Sequence, residues 1–421
     1  MSSGFFAGVY AGAMPVTFDV SRVRASYPAL RDGHAYLDGA AGTQVPEAVI
    51  DAIAAAYRAG IGNVGAAFAA SDRSGAIVAD CRAAIADLVG GTAAGVVLGP
   101  SMTALTYRIS TALAKGWGPE DEIVVSRLDH DANIRPWVQA AERVGATVRW
   151  AEADTATGEL PAGQYADLVT SRTKLVAVTA ASNVLGSRPD VPAIAAAAHA
   201  AGALCYVDGV HATPHIPVDV ASLGADFYAT SAYKWAGPHV AAVIAAPALL
   251  ETVRPDKLVP APDQVPQRFE RGTLPYGDLA GVTAAVEHLA GLAGEAGADV
   301  PGASRRERIL ASMAAVEEYE MSLFARLLDG LAGMSHVTLY GKAPRRAPTS
   351  FFTVAGMTPA QVAAHCAARG VNVWNGDNYA YELCEGLGLE PDGAVRAGLV
   401  HYNDESDVDR LLNAVGELTA R

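Results

Sequence analysis

Between about residues 35 and 246, short apolar and β-branched runs alternate with longer Ala-rich segments of helical period, and this alternation limits the possible folds more than any other feature. Runs that are apolar on both faces need cover on both faces, which helical crossovers between parallel strands supply. The runs at 95–98, 122–126, 147–151, 174–180, 204–207, 226–229 and 240–244 read as strands, with helices such as 131–144 and 192–201 between them. The expectation is an α/β domain with a mainly parallel, seven-stranded sheet and helices on both faces.

A Pro-rich stretch, RPDKLVPAPDQVPQ at 254–267, breaks the alternation and reads as an extended crossing loop. Long helical stretches follow at 282–293 and 304–331, then strand runs at 336–340, 350–354, 371–374 and 395–401 alternating with helices. That is the pattern of a smaller α+β C-terminal domain. The expected organisation is 1–34 as an N-terminal extension and a segment packing on the small domain, 35–280 as the large domain and 281–421 as the small one. The opening MSSGFFAGVYAGAMPVTF has no basic residue ahead of its apolar stretch, so it makes a poor signal peptide, and Met14 is an alternative start.

With 31 basic against 45 acidic side chains the net charge is −14, which disfavours phosphate backbones and anionic lipid surfaces. Neither nucleic acid nor a membrane is an expected partner, and no run reads as a transmembrane span. Cys81, Cys205, Cys366 and Cys384 lie far apart with no C-x-x-C pair, which argues against a zinc site or a disulfide framework and fits a reducing cytoplasm.

Ligands of open parallel sheets bind beyond the carboxyl ends of the strands. Polar residues stand at those places: Ser101, Met102 and Thr103 at a helix start, Asp129 and His130, Ser182 and Asn183, Asp208 and His211, and Ser231, Tyr233 and Lys234. Singly, each has an ordinary reading as a cap, a turn residue, a surface lysine or a structural histidine. His211 and His215 stand four apart, but no acidic or thiol residue has the spacing of a third ligand, so no metal is expected. Together the residues match the needs of pyridoxal phosphate: a carboxylate for the pyridinium nitrogen, an amine for the aldehyde, and donors at a helix N-terminus for the phosphate. Lys234 closes the strand run that follows the one ending near Asp208, so neighbouring strand tips can present amine and carboxylate to one flat ring.

The stretches YLDGAAGTQVP, LDHDANIRPW, VTAASNVLG, VDGVHATPH, ADFYATSAYKWAGP, RFERGT and VRAGLVHYN, in this order, resemble the class V aminotransferase and cysteine desulfurase family of fold type I, from about residue 36 to the C-terminus. The resemblance implies three catalytic residues: Lys234 as the Schiff-base lysine, Asp208 against the ring nitrogen and His130 stacked on the ring. It places Asn183 and His211 at the phenolic oxygen, although the family more often has Gln at the second position. Ser101, Met102, Thr103, Ser231 and Tyr233 would bind phosphate, where the family usually has His in place of Tyr233. Thr273 of RFERGT would come from a neighbouring subunit, which implies a homodimer. Arg396 would hold both oxygens of an amino-acid substrate's α-carboxylate, with Asn183, Ala40 and Tyr379 beside it.

Desulfurases of the family carry a loop cysteine, in a motif R-x-G-H-x-C, that attacks the substrate sulfur. Here the segment is Trp374-Asn375-Gly376-Asp377-Asn378-Tyr379, with Tyr379 at the nucleophile position. A phenol, with a pKa of about 10, does not take up sulfane sulfur as a thiolate does. Cys384 is the remaining thiol nearby, and Trp374, Tyr379 and Tyr381 read equally as an aromatic wall or as core. The expected activity is a desulfurase-like C–S lyase that acts on cysteine or an S-substituted cysteine by β-elimination, with Lys234 as base. The alternatives are transamination or epimerisation, a true desulfurase using Cys384, and a non-catalytic protein that binds pyridoxal phosphate.

Overall fold

The computed structural model describes residues 18–295 and 302–418, so the apolar opening and Met14 lie outside the described residues. Its strands in chain order are β1 (Ala35–Tyr36), β2 (Val96–Gly99), β3 (Glu122–Ser126), β4 (Thr147–Ala151), β5 (Thr173–Thr179), β6 (Leu204–Asp208), β7 (Phe227–Ser231), β8 (Ala241–Ala245), β9 (Val337–Tyr340), β10 (Thr349–Val354), β11 (Val371–Asn372), β12 (Trp374–Gly376) and β13 (Ala394–Gly398). One sheet has the order β2-β8-β7-β6-β5-β3-β4; β8 is antiparallel to β2 and β7, and the other neighbours are parallel. This is the mainly parallel, seven-stranded sheet that the alternation predicts.

The apolar runs are buried on both faces because alternate residues feed separate cores. Val176, Val178, Cys205 and Val207 join one core, and Leu175, Ala177 and Tyr206 join the other. The helices Ala69–Val89, Val191–Ala200 and Tyr276–Glu295 cover the first, and Met102–Leu113 and Arg135–Val144 cover the second.

The helix expected over 131–144 is divided into a 3₁₀ turn, Asp131–Asn133, and a helix that starts at Arg135. Pro136 lies in the first turn of that helix, where its missing N–H costs no hydrogen bond. Residues 254–266 form neither helix nor strand, as their prolines require. No helix among the described residues is long and apolar enough to cross a membrane.

A second, antiparallel sheet has the order β12-β13-β10-β9. Phe352 and Val395 on its strands pack with Leu323, Phe324, Val408 and Leu411 of the helices Arg305–Ala332 and Glu405–Gly416. The run expected as one strand at 371–374 is two: β11 pairs with β1 in parallel, while β12 belongs to the antiparallel sheet. The short helix Val20–Ala25 is docked by Arg24, which donates to the Tyr402 carbonyl at 2.7 Å and to Asp407 at 2.8 Å.

The chain moves outward from β3 to β4, returns to β5 on the other side of β3, and then continues away from it. The crevice between the tips of β3 and β5 is therefore the topological switch point, where sheets of this kind bind ligands.

Candidate active site

A cavity of about 470 Å³ opens at these strand tips, with its far wall supplied by the antiparallel sheet and the loop after β12. Asp208 is the last residue of β6. Its Oδ1 accepts from the Val210 N–H at 2.9 Å. The glycine between them is needed, because a Cβ at Gly209 would lie 1.9 Å from the Tyr228 ring. Burial raises the Asp208 carboxyl to about 6 against the pull of the Val210 N–H and of Lys234.

Lys234 follows β7 in the turn Ala232–Lys234, and its Nζ donates to the carbonyls of Ala40 and Ala41, the latter at 2.9 Å. Burial, and after it the Arg396 cation, bring the amine down to about 7, with Asp208 opposing. A large neutral fraction is therefore present near neutral pH.

His130 stands on the turn after β3. Asp129 holds that turn by accepting from Asn133 Nδ2 at 2.6 Å and from Ser126 Oγ. The His130 Nδ1 accepts from the Ala132 N–H at 3.0 Å, which places the ring proton on Nε2. Burial, then the Lys234 and Arg396 charges, bring the imidazole down to about 3, so it is neutral.

Arg396 lies buried in β13 and donates through Nη1 to the Asn183 carbonyl at 3.0 Å. Burial lowers it to about 10, so it keeps its charge at neutral pH.

The other expected residues divide. Ala40, Met102, Thr103, Asn183, His211, Tyr233 and Tyr379 line the cavity. Ser101 turns away and caps the helix Met102–Leu113 by accepting from the Ala104 N–H at 3.1 Å. Ser231 is buried at the end of β7, outside the lining. Tyr233 stacks on His239 with centroids 4.8 Å apart.

Asn183 spends its amide on the Asn378 carbonyl at 2.8 Å, and His211 Nε2 meets Thr349 Oγ1 at 2.9 Å, which leaves its Nδ1 for the cavity. His215 turns instead to Glu320, at 2.8 Å, so the two histidines do not converge on one point.

Thr273 lies in a second cavity of about 600 Å³, with Gly99, Pro100 and Ala104, and so flanks the same helix start from another side. Sequence reasoning missed Thr179, Ala181, Asn375, Asp377 and Asn378, which reach the cavity only through the tertiary fold. It also passed over Asp38, in the first family-like stretch, whose carboxyl burial raises to about 6 beside Arg396.

Ser231 Oγ, Asn183 Oδ1 and Arg396 Nε are buried without hydrogen-bond partners among the described residues. The first-turn N–H groups of Met102 and Thr103 have no intrahelical acceptor. The donors in this set suit an anionic occupant, and the Asn183 Oδ1 suits a hydroxyl or N–H group on it. With a weakly basic lysine, a facing carboxylate and a neutral imidazole, the residues fit pyridoxal phosphate, and fold and site together define a pyridoxal-phosphate enzyme of the α/β class.

Known proteins agree with this. The family model described as aminotransferase class-V matches residues 35–299 and 307–411. The chain is 36% identical to the uncharacterized protein MT3887 of Mycobacterium tuberculosis, over 96% of this chain and 100% of that one. It is 32% identical to the aminotransferase-like protein FGM3 of Gibberella zeae, over 95% and 98% of the two chains. Its structure is similar to that of the cysteine desulfurase CsdA of Escherichia coli, with a TM-score of 0.82, 29% identity, and coverage of 95% and 98%. The chain belongs to the class V aminotransferase family, whose members are pyridoxal-phosphate enzymes.

Proposed function

We propose that this protein is a carbon–sulfur lyase that cleaves cysteine or an S-substituted cysteine by β-elimination without a cysteine nucleophile of its own. The observation that carries this reading is that, among the described residues, no thiol lines the cavity. Tyr379 stands where the family's desulfurases have cysteine. Cys384 is buried in the helix Tyr381–Gly386, with Sγ 3.9 Å from the Asp377 carbonyl, and burial pushes its thiol up to about 12. A thiol held protonated and enclosed is a poor sulfur acceptor. Elimination needs only a base at the α-carbon and a leaving group on the β-carbon.

In this reading Lys234 would anchor the cofactor, Asp208 would pair with its ring nitrogen, His130 would lie against its ring, and Asn183 and His211 would serve its phenolic oxygen. Met102, Thr103 and Tyr233, with the unpartnered Ser231 Oγ behind them, would hold its phosphate, and Ser101 fixes the helix start that presents the first two. Thr273, which does not line the Lys234 cavity of its own chain, would complete this cradle in a second copy of a homodimer. Bound there, pyridoxal phosphate withdraws electrons from the substrate's α-carbon and acidifies its C–H bond.

Arg396 holds the α-carboxylate and thereby turns the α-carbon towards Lys234, with Ala40 beside it. Lys234, freed from its contact with the Ala40 and Ala41 carbonyls, accepts the α-proton. Its pKa of about 7 makes the neutral amine available at neutral pH. The Cβ–S bond breaks with its electron pair on sulfur, and hydrolysis of the remainder yields pyruvate and ammonia.

The test is a product assay on purified holoenzyme with cysteine, S-methyl-cysteine and S-benzyl-cysteine. Equal amounts of thiol and pyruvate are expected, and Cys384→Ala should leave the rate within about twofold, since a buried cysteine behaves as a small apolar group. Loss of activity in Cys384→Ala would move the assignment to a thiol-dependent desulfurase. Amino transfer that requires an oxo acid would move it to transamination.

A further inference from the structure

We propose that Trp374 and Tyr379 form a side-chain subsite for a flat aromatic group, so that the substrate is an α-amino acid with an aromatic side chain. On the lyase reading this is an S-aryl- or S-benzyl-cysteine. The inference rests on Arg396 as the carboxylate clamp. Trp374 and Arg396 are direct partners in the antiparallel register of β12 and β13. Such partners project from the same face of the sheet, with Cβ atoms about 5 Å apart. An amino acid whose carboxylate sits on Arg396 therefore extends its side chain beside the Trp374 indole.

Tyr379 supplies a second aromatic ring to the same cavity. Its ring lies 5.3 Å from that of His130, at 25°. Trp374 is 51% and Tyr379 70% exposed, and both line the cavity that holds Lys234, which excludes the reading of these two rings as core. Tyr381 does not join them; it lies against Arg135, outside the lining.

The wall is stiff rather than a swinging loop. Asn378 and Tyr379 both adopt the left-handed backbone region, with φ of 51° and 60°. The Tyr379 carbonyl accepts from the Asp131 N–H at 2.7 Å, its own N–H donates to Asp377 at 3.0 Å, and the Asn378 carbonyl accepts from Asn183. Glu382 is paired with Arg127 and Arg135 just beyond. At the other end, Gly393 presses so closely that a Cβ there would lie 2.0 Å from the Gly376 carbonyl carbon.

Two successive non-glycine residues in this region are held by surrounding contacts, a form of strain concentrated at functional sites. They hold the Tyr379 ring exposed at the cavity, beside which Trp374 is exposed from its strand. A thiol or methyl group covers little aromatic surface, whereas an aryl group can pack on an exposed ring.

The test titrates holoenzyme with L-alanine, S-methyl-L-cysteine and S-benzyl-L-cysteine, reading Kd from the cofactor absorption, with kcat and KM measured alongside. S-benzyl-cysteine is expected to bind about 10-fold tighter than S-methyl-cysteine. Tyr379→Phe should keep this preference. Tyr379→Asn, which suits the left-handed backbone, and Trp374→Leu should bring the two Kd values to within about twofold, weakening S-benzyl-cysteine far more than L-alanine. Equal Kd values in the unaltered enzyme, or variants that weaken alanine as much as S-benzyl-cysteine, would overturn the subsite and leave the lyase reading intact. If none of the three ligands changes the spectrum and no product forms, the amino-acid reading falls and the subsite with it.

Discussion

Lys234→Ala is expected to abolish turnover, lowering kcat/KM by at least about 10⁴-fold, because on the proposed assignment one change removes both the covalent anchor and the base. The fold should survive, since among the described residues the Lys234 Nζ hydrogen-bonds to the Ala40 and Ala41 carbonyls alone, and its loss relieves repulsion from Arg396. Lys234→Arg should be equally inactive, as a guanidinium does not lose its proton in a protein. Product release and the absorption of the attached cofactor are the measurements; a variant retaining a tenth of the original rate, or about that, would contradict the assignment.

The pH dependence has a definite sign. The unprotonated amine is the nucleophile, and burial lowers Lys234 from 10.5 to about 7. The rate of cofactor attachment should therefore rise with pH through about 7 and level off above it, well below the range of an exposed lysine.

Asp208→Asn is expected to lower kcat by about 10³-fold, the scale on which a preorganised electrostatic contact acts. Asparagine keeps the volume and can still accept from the Val210 N–H, so the variant removes charge and little else. The carboxylate is buried at the tip of β6, and that burial is what raises it to about 6. A negative charge at this position is disfavoured unless a cation faces it, which is the reason to place a pyridinium nitrogen there. As pH falls through about 6, Asp208 gains a proton and the attraction is lost, so cofactor affinity should be full above this pH and decline below it. The step should be absent from Asp208→Asn. Cofactor affinity measured by spectral titration across pH 5–8 checks both statements; an unchanged step in the variant would assign it to another group.

Much of the site was legible in the linear chain because its central residues are tied to local signals. Asp208 ends an apolar strand run and is followed by a glycine, Lys234 closes the next run, and His130 stands just past an earlier one. Once the runs are read as parallel strands, these tips must meet on one edge of the sheet. The uses of Asn183 and His211 were not legible in that way. Asn183 gives its amide to Asn378 and His211 its Nε2 to Thr349, partners that lie 195 and 138 residues away in sequence. Ser101 shows the reverse case, in which a nearby partner, the Ala104 N–H, takes the hydroxyl. Thr273, close to none of the other motifs in sequence, lies in a separate cavity.

Hydrophobic period, a short-range property, was enough to give the α/β class and the covered sheet from sequence, while the pyridoxal-phosphate chemistry was read from strand-end residues together with the resemblance of seven stretches to the class V aminotransferase family. Tertiary structure alone decided that β8 runs against its neighbours, that 371–376 divides between two sheets, and that Trp374 faces Arg396. It also decided that Tyr379 is exposed while Cys384 is enclosed. Strand direction, register and burial depend on contacts between segments far apart in the chain, and no local window of sequence contains those contacts.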